Sequence, residues 1–156
     1  MDSNNIDYLI RGAEYKSKGD YDKAIDEYNT AIKLNFGDAA IYSARGHAYY
    51  LKKEYDNAIA DCNQALKLDS SYSMALIGRG NGYMGKNELD MAIADYNEAI
   101  KINPDDAPAY ISRGVAYMEK SFFEKAITDI EKAKQLDSDY SNHANAILEM
   151  IYKKMN

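Results

Sequence analysis

The chain has 156 residues, of which 46% are hydrophobic and 28% are charged, and only two are prolines. This composition indicates a folded helical domain with a core and excludes a disordered chain. The formal net charge of −6, with no run of more than two Lys or Arg residues, argues against a general binder of nucleic-acid backbones.

Cys62 is the single cysteine, which excludes an intramolecular disulfide and a metal site built on cysteines. The first ten residues are polar and acidic, so they do not resemble a signal peptide. No apolar run approaches the roughly 18 residues of a membrane span. We therefore expect a cytoplasmic protein that does not associate with membranes.

The dipeptide Arg-Gly recurs every 34 residues, and it starts at Arg11, Arg45, Arg79 and Arg113. This period divides most of the chain, without insertion or deletion, into units at residues 5–38, 39–72, 73–106 and 107–140. A strict period of this length predicts stacked units that share one continuous core.

Each unit is predicted to form two helices. In the first unit one helical face carries Tyr8, Arg11, Gly12 and Tyr15. Gly19 and Asp20 then interrupt the pattern, and a second helix follows with Ala24, Tyr28 and Ala31 on one face. Turn and N-cap residues separate the units, and Pro108 falls in the first turn of its helix, where a missing N–H costs nothing.

Residues 141–156 predict one further helix, with an apolar stripe of Ala144, Ile147, Leu148 and Ile151. A stacked array needs such a cap, because its last unit would otherwise expose an apolar face.

The glycine of each Arg-Gly pair needs a reason, because glycine inside a helix costs roughly 1 kcal/mol relative to alanine. We expect Gly12 and its equivalents to allow close approach of the second helix, facing the small residues Ala24, Ala58, Ala92 and Ala126.

The pattern Tyr8-x2-Arg11-Gly12-x2-Tyr15, followed by Ala24-x3-Tyr28, resembles the tetratricopeptide repeat over about 136 of the 156 residues. The sequence departs from the family pattern at Leu76, Cys62 and Ile130, where aromatic residues are usual. The resemblance implies an all-α fold, namely a right-handed α-solenoid of four tetratricopeptide helix-turn-helix repeats plus a C-terminal capping helix. It also implies a single domain over residues 1–156.

Each arginine of the Arg-Gly pairs has an acidic residue sixteen positions later, across the turn to the second helix. We predict the structural ion pairs Arg11–Glu27, Arg45–Asp61, Arg79–Asp95 and Arg113–Asp129. The alternative is that the arginines bind a ligand.

A second stripe on the first helices exceeds what packing within a repeat requires. Because first helices line the inner face in this family, we predict a peptide-binding groove. Its residues are Leu9, Ala13, Lys16, Ser43, His47, Tyr50, Met74, Ile77, Asn81, Met84, Ile111, Val115 and Met118. Methionines favour surfaces that accept varied apolar partners, although packing between repeats would also explain part of the stripe.

A well-known mode of this family clamps the C-terminal carboxylates of heat-shock chaperones with lysine, asparagine and arginine. The equivalent positions in one register are Leu9, Ala13, Ala44, Met74 and Gly78. In the next register they are Ser43, His47, Gly78, Pro108 and Ser112. Since neither set supplies a lysine or an arginine, this clamp is not expected here.

The sequence therefore predicts a non-enzymatic protein–protein interaction module that binds an apolar or amphipathic peptide segment of another protein. The alternative is a self-assembling, homo-oligomeric scaffold, to which Met150, Tyr152 and Met155 could contribute. No catalytic residue, metal site or cofactor is predicted. The glycines at 78, 80 and 82 lie inside a helix rather than in a phosphate-binding loop, and Cys62 takes a core position.

Overall fold

The computed structural model describes residues 3–155, and the side chains from residue 6 onward. The elements of this described part are helical: α1 (Ser3–Ser17), α2 (Tyr21–Lys33), α3 (Ala39–Leu51), α4 (Tyr55–Leu68), α5 (Ser73–Gly85), α6 (Leu89–Ile102), α7 (Ala107–Glu119), α8 (Phe123–Leu136) and α9 (Ser141–Met155), with a short 3-10 helix at Ser138–Tyr140 before α9.

Each helix packs on the next one along the chain, from α1 to α9. The first helices of successive hairpins, α1, α3, α5 and α7, also contact one another in that order. This arrangement is an all-α solenoid, as predicted, and it places the first helices side by side on one surface.

Alanines of the second helices form the centre of each hairpin. Fully buried residues are Ala24, Ala31, Ala58, Ala65, Ala92, Ala99, Ala126 and Ala133. Larger side chains fill the space between them, and Tyr28, Tyr96 and Ile130 are completely buried. The close contact of helices is therefore built from small residues with a bulky residue beside each one.

The glycines of the Arg-Gly pairs do lie at close helix contacts, but the predicted alanine is the neighbour at only some of them. A Cβ on Gly46 would lie 3.1 Å from the carbonyl oxygen of the predicted Ala58 and 3.1 Å from Sγ of Cys62. A Cβ on Gly80 would lie 2.6 Å from Cε1 of Tyr96, and one on Gly114 would lie 2.7 Å from Cδ1 of Ile130. The ring of Tyr28 occupies the same place over Gly12. Gly12 and Gly80 thus make room for the large residue four positions after the predicted alanine, whereas a Cβ on Gly114 would also lie 3.3 Å from the carbonyl oxygen of the predicted Ala126.

A left-handed backbone residue ends each of the four first helices, at Gly19, Lys53, Asn87 and Ser121, with φ of 81°, 63°, 63° and 61°. This conformation is free of steric penalty for glycine only, and it costs other residues about 1–2 kcal/mol. The turn geometry repeats with the period of the sequence, although a glycine is present in the first turn alone.

Ser121→Gly should therefore stabilise the protein by about 0.5–1 kcal/mol in thermal or denaturant unfolding, since it removes the left-handed strain at an exposed site. Gly19→Ala should have the opposite effect. Because no atom lies within 4 Å of the position of its added Cβ, backbone strain is what this control measures. A loss of stability with Ser121→Gly would contradict the strain argument.

The outer face of α1 differs from the equivalent faces of the later first helices. At two positions of the first helix, the later hairpins have buried small or aliphatic residues. The first position holds Ile41, Ala75 and Ala109, and the second holds Ala48, Gly82 and Ala116. In α1 these positions hold Asp7 and Glu14, which are exposed. The first hairpin therefore presents a charged face to solvent where the later hairpins present a packing face to their predecessor.

Helix α9 closes the other end of the array. Its Ala144, Ile147 and Ile151 join a buried cluster with Ile111, Met118 and Ile130. The predicted apolar stripe of this helix is thus in contact with α7 and α8.

Candidate functional site

The first helices form a groove of about 620 Å³ on their common surface. It is lined by Leu9, Lys16, Ala40, Ser43, Ala44, His47, Tyr72, Met74, Ile77, Gly78, Asn81, Asp106, Pro108 and Ser112. Each of α1, α3, α5 and α7 contributes side chains, so the groove crosses all four hairpins.

The predicted stripe coincides with this groove only in part. The predicted residues that line it are Leu9, Lys16, Ser43, His47, Met74, Ile77 and Asn81. The stripe missed Ala40, Ala44, Tyr72, Gly78, Asp106, Pro108 and Ser112. Several of these lie three or four residues before a stripe residue, so a wider helical face would have included them.

The part of the stripe on α7 requires a correction. Ile111 and Met118 are only 8% and 3% exposed, because they pack with residues of α8 and α9 in a cluster that also contacts Val115. They therefore stabilise the end of the array and offer no surface to a ligand. Ile111 occupies the same position in its repeat as Ile77 does in the preceding one. Ile111 is buried because it packs in the cluster that includes residues of α9, whereas Ile77 lines the groove.

Three other predicted residues lie outside the groove lining. Ala13 is exposed, Met84 packs against the cluster around Tyr96, and Tyr50 lies beside the ring of His47, with 6.3 Å between the ring centroids. Tyr50 supports the site by holding His47 rather than by lining the groove.

The apolar part of the groove centres on α5. Met74 is 63% exposed, which is unusually high for a large apolar side chain, and Ile77 lies one turn further along the same helix. The hydroxyl of Tyr72 lies 3.8 Å from Sδ of Met74. A flexible apolar side chain at the mouth of a groove is a feature of binding surfaces.

Polar side chains occupy the end of the groove near the C-terminal parts of α1, α3 and α5. Nζ of Lys16 lies 3.2 Å from Nδ1 of His47. The hydroxyl of Tyr96 donates a 2.7 Å hydrogen bond to Oδ1 of Asn81. Partial loss of solvation, and then the nearby Lys16, lower the pKa of His47, although this residue keeps an exposed surface. Loss of solvation also lowers the pKa of Lys16.

The four arginines of the Arg-Gly pairs each contact the predicted acidic residue. In Arg45, Nε and Nη2 donate to the two carboxylate oxygens of Asp61 at 2.7 and 2.6 Å, and Nη1 donates to Oδ1 of Asn29 at 2.6 Å. The same three contacts join Arg79 to Asp95 and Asn63, and Arg113 to Asp129 and Asn97. Each guanidinium thereby links its own hairpin to the preceding one.

Among the described residues, Arg11 has no partner that corresponds to Asn29, Asn63 or Asn97. It donates through Nε to Glu27 at 2.8 Å, and its side chain remains 47% exposed. The hydrogen bonds to the carboxylates are the main cause that raises the pKa of Arg45, Arg79 and Arg113. The side chains of these arginines are thus occupied between helices, which favours the structural interpretation over the ligand-binding one.

A second set of ion pairs follows the same period and was not found from the sequence. Lys52, Lys86 and Lys120 donate to Asp22, Asp56 and Asp90 at 2.6–2.7 Å. In each pair the two residues are 30 positions apart, and the pairs themselves repeat every 34. That regular spacing is the signal that could have revealed them.

Cys62 lies on α4 and is completely buried, with Sγ close to Gly46 of α3 and Gly78 of α5. Burial raises the pKa of its thiol to about 12, so the reactive thiolate is not formed at neutral pH. We expect a disulfide reagent such as Ellman's reagent to leave the folded protein unmodified and to react with one thiol in guanidinium chloride. Rapid modification of the native protein would contradict this placement.

Among residues 3–155, no helix is long and apolar enough to cross a bilayer. No group of three or more His, Cys, Asp or Glu side chains in the described part of the chain is arranged to hold a metal ion.

The fold and the groove together define a helical-repeat solenoid whose first helices form a continuous surface. Family profiles described as "TPR repeat" match residues 12–53 and 80–121, and profiles described as "Tetratricopeptide repeat" match residues 39–72 and 107–140. These matches span more than half of the chain. The chain belongs to the tetratricopeptide repeat family.

Solved structures share this architecture. The thermophilic TPR protein TTC0263 of Thermus thermophilus superposes with a TM-score of 0.87 over 97% of this chain and 83% of that one; at 20% identity this likeness shows the fold alone. MamA is 29% identical, with a TM-score of 0.71 over 90% of this chain and 83% of that chain.

The second TPR domain of human RPAP3, solved in complex with the HSP70 peptide SGPTIEEVD, is 28% identical to this chain. Its TM-score is 0.66 over 72% of this chain and 94% of that one. A comparison with curated protein sequences found no significant match.

Proposed function

We propose that this protein is a non-enzymatic protein–protein interaction module that binds an apolar or amphipathic peptide segment of another protein in the groove of its first helices. The observation that carries this proposal is Met74, which is 63% exposed and lines a groove together with Ile77. Water-exposed apolar surface in a groove of this volume favours association with an apolar segment. We also propose that residues 1–156, with the four units predicted from the period, act as one binding domain. The cytoplasmic location stays a prediction.

Family membership supports a binding role. The RPAP3 domain described above was solved with a peptide, which shows that an array of this kind can hold one. At the positions where a lysine-rich clamp would lie, this chain has apolar or small residues and His47, and neither a lysine nor an arginine. We therefore propose a partner that is recognised mainly through apolar side chains.

Two exposed methionines provide a matched test. Met74 is the second residue of α5 and lines the groove, whereas Met91 is the third residue of α6, is 49% exposed and lies outside the groove lining. Since both are in the first turn of a helix, aspartate is compatible with either site. Both variants should keep the helical circular dichroism of the wild type.

The measurement is the affinity of peptides selected from a random displayed library on the wild-type protein, determined by fluorescence anisotropy. We expect dissociation constants of about 1 μM. Met74→Asp should weaken binding at least about tenfold by placing a charge against the apolar segment, and Met91→Asp should leave it unchanged. Equal affinities for the two variants would rule out the groove as the binding surface.

The alternative, a self-assembling scaffold, has one observation in its favour. Met150, Tyr152 and Met155 of α9 are 46–52% exposed. The charged outer face of α1, with Asp7 and Glu14, disfavours end-to-end stacking in the manner of the internal hairpins. Light scattering separates the two functions, since a mass that stays near 17.6 kDa at all concentrations excludes strong self-association.

A further inference from the structure

The outer side of α1 carries a row of four charged residues whose signs alternate. They are Asp7, Arg11, Glu14 and Lys18, and all four are exposed. Their spacing of four, three and four residues keeps them on one side of a helix. Lys18 continues the last turn, because its N–H donates to the carbonyl oxygen of Glu14.

The equivalent positions of the later hairpins contact the hairpin before them. Lys52 donates to Asp22 of α2 at 2.6 Å, and the later lysines repeat this link. Lys18 is the residue 34 positions before Lys52, and within the described residues it makes no ion pair of this kind. Arg11 likewise has no equivalent of Asn29. The first hairpin thus exposes donors that the other hairpins use to join their neighbours.

Apolar side chains flank the row of charges. Ile6 and Ile10 are 43% and 51% exposed, and the exposed Ala13 follows them along the helix. On the other side of the row is a cavity of about 480 Å³, lined by Asp7, Tyr8, Arg11, Leu34 and Phe36. Exposed apolar area beside polar residues is typical of a surface that binds another protein.

The row of charges is complementary to a second copy of itself. When two such helices lie antiparallel, Asp7 of one copy faces Lys18 of the other, and Arg11 faces Glu14. Each pair has opposite signs, and a twofold axis forms each pair twice. A parallel arrangement in the same register would place equal charges opposite each other, which is unfavourable.

The other end of the array offers no place for the α1 helix of a second copy. Helix α9 packs on α7 and α8, just as α7 packs on α5 and α6. It therefore occupies the position that a following first helix would take. Head-to-tail addition of a copy is blocked while α9 is in place.

We propose that the outer side of α1 binds a second copy of this chain, with the two α1 helices antiparallel in a closed, twofold-symmetric dimer. The inference goes beyond the proposed function and does not depend on it. Leu9 and Lys16 each lie two residues after a charge of the row, which on a helix places them on the opposite side. The groove consequently stays open in the dimer. A single pair of helices forms a small interface, so the dimer is a weak one.

Sedimentation velocity of the full chain tests the proposal at protein concentrations from about 10 μM to about 1 mM, where weak complexes form. The mass of the wild type should rise from 17.6 kDa with concentration and level off at twice that value. Because the ion pairs lie at the surface, about 1 M NaCl should weaken the dimer at least about tenfold.

Two charge reversals test the antiparallel register. Asp7→Lys and Lys18→Glu each bring like charges together, so each variant alone should dimerise at least about tenfold more weakly than the wild type. An equal mixture of the two should associate, because one variant is then positive and the other negative at both positions. Lys67→Glu makes the same change in charge in the last turn of α4 and should dimerise like the wild type. Circular dichroism checks that each variant keeps its helices.

Three results would overturn the proposal. The first is a wild type that stays at 17.6 kDa throughout, and the second is a mass that rises beyond that of a dimer. The third is a dimer that Asp7→Lys and Lys18→Glu leave unchanged; its loss in Met150→Asp would place the contact on α9 instead. None of these measurements involves a peptide, so the groove function is tested separately.

Discussion

Arg45→Ala is expected to lower the free energy of unfolding by about 3 kcal/mol, whereas Arg11→Ala should have a much smaller effect. The side chains of Arg45 and Asp61 are 17% and 9% exposed, and removal of the guanidinium leaves a nearly buried carboxylate without its partner. Arg11 and Glu27 are 47% and 24% exposed, and water replaces the lost contact there. Urea denaturation followed by circular dichroism measures both losses.

The two variants form a natural pair, because the residues occupy the same position in successive hairpins and differ in burial. Arg45 also loses the hydrogen bond to Asn29, so Asn29→Ala measures the part of the effect that joins neighbouring hairpins. A similar loss in Arg45→Ala and Arg11→Ala would show that burial does not determine the strength of these pairs. A folded Arg45→Ala protein that failed to bind groove peptides would instead favour the ligand-binding interpretation.

The sequence was sufficient for the architecture because one strict period carries several independent signals. Asp38 accepts a hydrogen bond from the N–H of Ile41 and Asp106 accepts one from Ala109, as N-caps do, and Pro108 follows in the first turn of α7. The Arg-to-acid spacing of sixteen placed each pair across a hairpin turn. These features are local, so they can be derived from spacing alone.

Contacts that depend on how two helices cross could not be derived in this way. The predicted neighbour of Gly12 was Ala24, yet the ring of Tyr28 lies over it. Both residues are on the same face of α2, one turn apart, and only the crossing geometry of α1 and α2 selects between them. The 34-residue period correctly predicted a close helix contact at Gly12, but it did not determine which residue of α2 makes that contact.

The polar end of the groove illustrates a second limit. Lys16 and His47 are 31 positions apart, so they do not occupy equivalent places in their repeats. An alignment on the 34-residue period pairs His47 with Ala13 instead. Their contact arises because α1 and α3 lie side by side, and it is a property of the stacking between hairpins.

Ile151→Asp is expected to cost about 4 kcal/mol or more and to release α9 from the array. Ile151 is completely buried in the cluster with Ile130 and Ile147, where a carboxylate would have neither water nor a partner. Release of α9 would uncover Ile111 and Met118. We therefore expect stronger binding of the dye ANS and faster amide hydrogen exchange in α7 and α8, together with a lower melting temperature.

Met150→Asp is the matched control, because Met150 is adjacent on the same helix and is 52% exposed. It introduces the same charge and a similar loss of helix propensity, so it should shift stability by less than about 1 kcal/mol and leave ANS binding unchanged. If Ile151→Asp behaved like this control, α9 would not be holding the α7 stripe in the core. Ile111, Val115 and Met118 would then return as candidates for the groove, extending its apolar surface to the fourth repeat.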